Sequence, residues 1–248
     1  MDASTWWVLL IAFIASLIRS TFGFGEALVA VPLLALFLPI RTAAPLAVLL
    51  SITVAAVVVI QDWRKIHLRS VGWLLGPTIL GIPLGIWLLS VGHQSAVKAG
   101  LGVLILSFAL YSLLCKAPPE LHSDSKIWLV CSGFLAGALG GAYGMNGPPL
   151  VVYGAMRRWS PQQFRATLQG YFLPASVAGM VGYCLSGLWQ PVVTHYYLLA
   201  LIVAIPAIFL GRWANQQLSG ASFLRFVYCG LVGAGIALVL QAAGTFGK

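Results

Sequence analysis

The sequence predicts an all-α polytopic membrane protein of two inverted-topology repeats, each of about five helical segments, with broken or re-entrant helices at Gly-rich breaks near the midplane. Three observations lead there. The 248-residue chain is 60% hydrophobic and 8% charged, whereas a soluble domain keeps about a quarter of its residues charged to face water. Apolar runs recur from one end to the other. The two halves also resemble each other, in order, at a spacing of roughly 120–127 residues.

In chain order, helical segments are expected at 5–21, 26–38, 43–61, 70–91 and 97–115. After the polar stretch "KAPPELHSDSK" they continue at 127–140, 147–157, 163–185, 192–213 and 223–243. The first repeat is therefore 1–115, the linker 116–126 and the second repeat 127–248. Crossing a hydrocarbon core of about 30 Å takes about 20 helical residues. Segments 26–38, 127–140 and 147–157 fall short of that and adjoin Gly-rich breaks, so they are expected to be broken or re-entrant. "AVPLLALFLP" (30–39) and "GPPLVVYGAM" (147–156) each follow such a break. "LGIWLLSVGHQSAVK" (84–98) aligns with "LGRWANQQLSGASFLR" (210–225), matching Gly85 with Gly211 and Trp87 with Trp213.

The net charge of +9 comes from basic residues scattered between apolar runs, which makes a topology signal and not a nucleic-acid-binding face. Linker 61–69 holds Arg64, Lys65 and Arg69, while its counterpart 186–195 is uncharged. Linker 157–165 holds Arg157, Arg158 and Arg165, against Arg41 alone near 37–42. Equivalent loops with opposite bias lie on opposite faces, so the repeats are inverted and both termini are expected outside. The start, Met1 to Thr5, lacks the basic region of a cleavable signal peptide, so the first run is expected to be retained. Trp6, Trp7, Trp63, Trp73, Trp128, Trp159 and Trp189 lie towards segment ends, as an aromatic belt does. His67, His93, His122 and His195 lie at ends or in linkers and receive no proton-relay role. Cys115, Cys131, Cys184 and Cys229 have no metal-ligand spacing and read as small buried hydrophobes, so no metal, disulfide or cofactor is implied.

The chemistry concentrates in two matching stretches, "STFGFGEA" (20–27) and "GGAYGMNGPP" (140–149). Glycine lets the backbone leave helical geometry, and unwound backbone at membrane depth is tolerated where it lines a wet cavity. A helix restarting after such a break aims its amides and positive dipole end into that cavity. Two of them make an anion site, with close helix packing through small residues as the alternative. The candidate binding residues are Arg19, Ser20, Thr21, Gly23 and Gly25 in the first half, and Gly144, Met145, Asn146 and Gly147 in the second. Gln169 and Tyr171 join them from segment 163–185, unless they serve helix–helix hydrogen bonds. Ser51 and Thr53 hold the corresponding region of the first half, where hydroxyls can instead bond back to their own helix.

Glu26 is the only acid within an apolar segment. A charge at membrane depth costs about 2.5–3.5 kcal/mol on insertion scales, so it needs a reason. One reason is a salt bridge to Arg19 that closes a kink. The other is a proton carrier, since a carboxyl held away from water binds its proton more tightly. The glycines between the two residues argue against one continuous helical face; an Arg19 separated from Glu26 by the break is free to attract an anion or to snorkel to the interface.

With "VPLLAL" after the first break, "GPPLVVYG" after the second and "SPQQFRATLQGYFL" at 160–173, the chain resembles the TauE/SafE family over nearly its whole length. That resemblance implies a bacterial inner-membrane carrier of sulfite, sulfoacetate or other organosulfonates. Glu26 and Asn146 depart from the runs of glycine that many members show at these places. The expected activity is secondary transport of a small anion by rocking of the repeats, with proton coupling through Glu26. The alternatives are a passive anion channel or a carrier of a non-sulfur organic anion. No acid pair, HExxH or GxSxG supports an enzyme. The expected partners are the anion and the lipid bilayer, with monomer and homodimer both open.

Overall fold

The computed structural model describes residues 3–62, 68–114, 126–157, 161–217 and 221–244. Arg64, Lys65, Arg158, most of the linker, Trp63, Trp159, His67, His122 and Cys115 lie outside the described residues, as do the side chains of Arg69 and Arg165. Among the described residues there are ten helices. The first five are α1 (Ala3–Phe22), α2 (Glu26–Phe37), α3 (Ile40–Asp62), α4 (Leu68–Val91) and α5 (Gln94–Leu114). The second five are α6 (Lys126–Tyr143), α7 (Gly147–Met156), α8 (Pro161–Leu185), α9 (Pro191–Gln217) and α10 (Ala221–Ala242). Six of them, α1, α3, α4, α5, α6 and α9, are long and apolar enough to cross a membrane.

Two expectations are corrected here. Helix α6 runs 18 residues to Tyr143 and is itself one of the six, so segment 127–140 is not short. Its glycines do not unwind it; they are its packing surface. A Cβ on Gly133, Gly137 or Gly141 would run into backbone atoms of α4, and one on Gly81 or Gly85 into backbone of α6. Such close approach lets dispersion contacts between backbones replace the hydrophobic drive that lipid removes. The second correction concerns cysteine: Cys131, Cys184 and Cys229 are exposed. They lie on outward helix faces beside large apolar side chains such as Val130, Val181 and Leu185, where apolar surroundings suit them as well as a core does.

Packing follows a simple rule. Helix α1 packs mainly on α9, and α4 on α6, while α5 packs on α10 and α3 on α8. Exchanging the first five helices for the last five turns the first of these pairs into the second and returns the other two unchanged. The detail matches. Gly211 of α9 sits against the Leu17 carbonyl of α1, and Gly85 of α4 against the Ala138 carbonyl of α6. Leu17 and Ala138 each stand nine residues before the start of the following short helix. Outside this core, Trp6, Trp73, Trp87, Trp128, Trp189 and Trp213 are exposed, as rings at a lipid–water boundary are.

Candidate functional site

Helix α1 ends at Gly23, whose φ is 82 and whose N–H donates to the Arg19 carbonyl at 2.6 Å. Helix α6 ends at Gly144 in the same manner, with φ 68 and a 2.8 Å bond to the Gly140 carbonyl. Only glycine adopts this left-handed geometry without strain. At Gly144 a Cβ would also press on Val48 and the Ala44 carbonyl of α3. Three residues later each chain is helical again, so the N-termini of α2 and α7 arise beside the C-termini they follow.

The two restarts line one cavity. Its wall takes Phe24, Gly25, Glu26, Ala27 and Leu28 from the first break, and Gly144, Met145, Asn146 and Gly147 from the second. Arg19 of α1, Ser51 of α3, and Phe172 and Ser176 of α8 complete it. Its volume is about 20 Å³, room for a water and little more. The first hydrogen bond inside α2 runs from the Val29 N–H to the Gly25 carbonyl at 3.1 Å, so the amides of 26–28 precede the helical ladder. In α7, Pro148 and Pro149 have no N–H, and they cost the helix nothing in a first turn whose donors lack partners. Gly147 and the Asn146 side chain bring donors of the second break to the cavity wall.

Arg19 and Glu26 are both buried and they pair: Arg19 Nη1 donates to Glu26 Oε2 at 2.7 Å. The expectation that the glycines separate them is corrected. A straight helix is not needed, because the turn at Gly23–Gly25 folds Glu26 back over the last turn of α1. The same Nη1 bonds Ser51 Oγ, and Ser176 Oγ donates to Ser51 Oγ at 3.3 Å. The guanidinium lies over the Phe172 ring, with Cζ 4.9 Å from the centroid. Pairing is incomplete, however. Among the described residues Arg19 Nε, Arg19 Nη2 and Glu26 Oε1 are buried without a hydrogen-bond partner.

The other predicted residues divide. Gln169 is buried and its Nε2 donates to the Gly23 carbonyl at 2.9 Å, which ties α8 to the first break and leaves its Oε1 unpartnered. Ser20 Oγ donates to the Ile208 carbonyl of α9 at 2.5 Å, and Thr21 Oγ1 to the Leu17 carbonyl at 2.8 Å. Tyr171 is turned away from the cavity: its hydroxyl lies 2.8 Å from Thr78 Oγ1 of α4, which also donates to the Gly133 carbonyl of α6 at 2.9 Å. Thr53 bonds its own helix at Leu49 and Tyr197 of α9. Sequence reasoning missed Phe172 and Ser176. The signal was present, because they stand three and seven residues after Gln169 on one helical face, and Tyr171 does not.

The family pattern described as sulfite exporter TauE/SafE matches residues 8–238. A protein of Cupriavidus necator called a probable sulfite/organosulfonate exporter TauE is 28% identical over 181 residues, 73% of this chain and 70% of the relative. No solved structure matches the chain significantly. The chain belongs to the sulfite exporter TauE/SafE family of membrane proteins.

Proposed function

We propose that the protein is a secondary active transporter that moves a small anion, sulfite or a sulfoacetate-like organosulfonate, across the bacterial inner membrane by alternating access. The observation that carries this reading is Arg19. It is a buried guanidinium with two unpartnered nitrogens, in a cavity that both helix restarts line. A sulfite or sulfonate head has three oxygens that accept from planar, charged donors and from free amides. The name borne by the Cupriavidus necator relative supports the choice of substrate.

A cavity of about 20 Å³ does not admit a sulfonate, so the site must widen to load or release it. The exchange symmetry of the helix packing supports two pseudo-equivalent groups of helices, each drawn from both halves and each able to open one side. The basic loops of the sequence then face the cytoplasm and both termini the periplasm. Glu26 is the proton carrier of this reading, the acid within reach of the anion's own counter-ion.

Proteoliposomes loaded with sulfite or sulfoacetate test it. Saturable, temperature-steep counterflow of the labelled anion is expected; conductance far above carrier turnover would instead establish a channel. A thermal-shift panel of sulfite, thiosulfate, sulfoacetate, taurine and carboxylates identifies the preferred head group, since a ligand stabilises by RT ln(1 + [L]/Kd).

A further inference from the structure

We infer that Glu26 is a tethered occupant of the anion site, which the transported anion must displace and which leaves only by taking up a proton. The inference rests on the anion-carrier reading above. It starts from a count of charge in a confined, buried space. Arg19 and Glu26 form a buried ion pair, so with both ionised the cavity holds one cation and one anion. Facing Glu26 from α1 is Arg19, and among the described residues no other charged or titratable group lines the cavity. Ser51 comes from α3, Phe172 and Ser176 from α8, and Met145 and Asn146 from the second break.

An incoming monoanion that took Arg19 while Glu26 stayed ionised would leave two negative charges against one positive in a space sheltered from water. That excess is costly where the surroundings cannot screen it. The balanced exchange is different. Glu26 gains one proton from solvent, its bond to Arg19 breaks, and the anion's oxygens replace Oε2 on Nη1 and occupy the unpartnered Nη2 and Nε. The net charge of the cavity is the same before and after. Glu26 Oε1 has no partner to lose among the described residues, so only the bond of Oε2 to Arg19 is broken. The stack on Phe172 and the bond to Ser51 hold the guanidinium still while its partner changes. One carboxylate and one substrate anion thus compete for one guanidinium, and each anion is carried with one proton.

The test uses purified full-length protein in nanodiscs, with sulfite and methanesulfonate as probes. Methanesulfonate stays a monoanion across the neutral range, so its linkage reports only the protein. In weakly buffered solution with a pH indicator, binding is expected to take up one proton per methanesulfonate bound. The Kd is expected to rise with pH, by about tenfold per unit at the limit of one linked proton. Glu26→Gln is expected to bind methanesulfonate with pH-independent affinity and without proton uptake. Tight wild-type binding with no proton uptake would overturn the competition while leaving the carrier reading standing. Failure of both probes to bind the wild type at any pH would overturn the carrier reading, and the competition with it. The wild-type proton count decides the question even where Glu26→Gln does not fold.

Discussion

The side-chain amide of Asn146 lies directly on the bare Cα of Gly140, in space that a Cβ there would occupy. Around the first break the sizes are reversed: Arg19 stands seven residues before α2 and Gly25 immediately before it, as Gly140 and Asn146 stand to α7. One half contributes a long cation and an empty residue, the other an empty residue and a short amide. Two restarts of similar shape therefore carry a single charge centre. Gly140→Ala should push Asn146 into the cavity, lowering stability by about 1–3 kcal/mol as overpacking does. Fluorescence-detected unfolding and probe binding on the same sample check it, and an unshifted midpoint would show that Asn146 has room to move.

Glycine packing between α4 and α6 predicts a graded pair. Gly137→Ala should destabilise by about 1–3 kcal/mol, because the methyl meets the Thr78 carbonyl backbone. Gly76→Ala, on α4 with nothing within 4 Å of its Cβ, should be neutral or slightly stabilising. Equal melting shifts for the two would remove the close contact as an explanation.

Tyr171→Phe separates a packing role from a binding one. Losing the hydroxyl bond to Thr78 should cost about 0.5–1.5 kcal/mol and leave probe affinity within about twofold. A loss of affinity beyond tenfold at unchanged stability would return Tyr171 to the cavity.

Arg19→Lys should reduce anion binding by about tenfold or more while keeping the charge. A single ammonium cannot hold Glu26 and Ser51 and also present a flat, forked set of donors over Phe172. Isothermal titration with sulfite reads this directly, and near wild-type affinity would mean that charge alone is recognised.

Glu26→Gln should abolish anion uptake driven by a pH gradient and retain equilibrium exchange of anion across the vesicle membrane. Gradient-driven uptake at the wild-type rate would remove Glu26 from coupling. The variant leaves a buried guanidinium without its carboxylate, a change that costs about 3–5 kcal/mol in buried pairs, so exchange is best measured with anion present throughout.

How far the sequence alone reached depended on the kind of signal. Segment ends were legible because Gly, Pro and charge interrupt long apolar runs, as at Gly23–Gly25 and Gly144–Asn146. The reach of α6 was not. Gly133, Gly137 and Gly141 at every fourth position read equally as loosened backbone or as a packing stripe, and only the partner helix decides. The Arg19–Glu26 pair was hidden for a geometric reason: linear spacing tests a straight helix, while a left-handed glycine reverses the chain. Phe172 and Ser176 could have been found by carrying the helical period onward from Gln169.

The glycine-lined contacts limit how this molecule can move. The pair α4–α6 and the pair α1–α9 each join a helix from before the linker to one from after it, with backbone against backbone. Swinging one half of the chain as a block past the other would tear both seams at once, at the places where the least slack exists. The bodies that stay rigid are then composite, each woven from both halves. Cutting the chain between α5 and α6 should yield two fragments that fold only in each other's company.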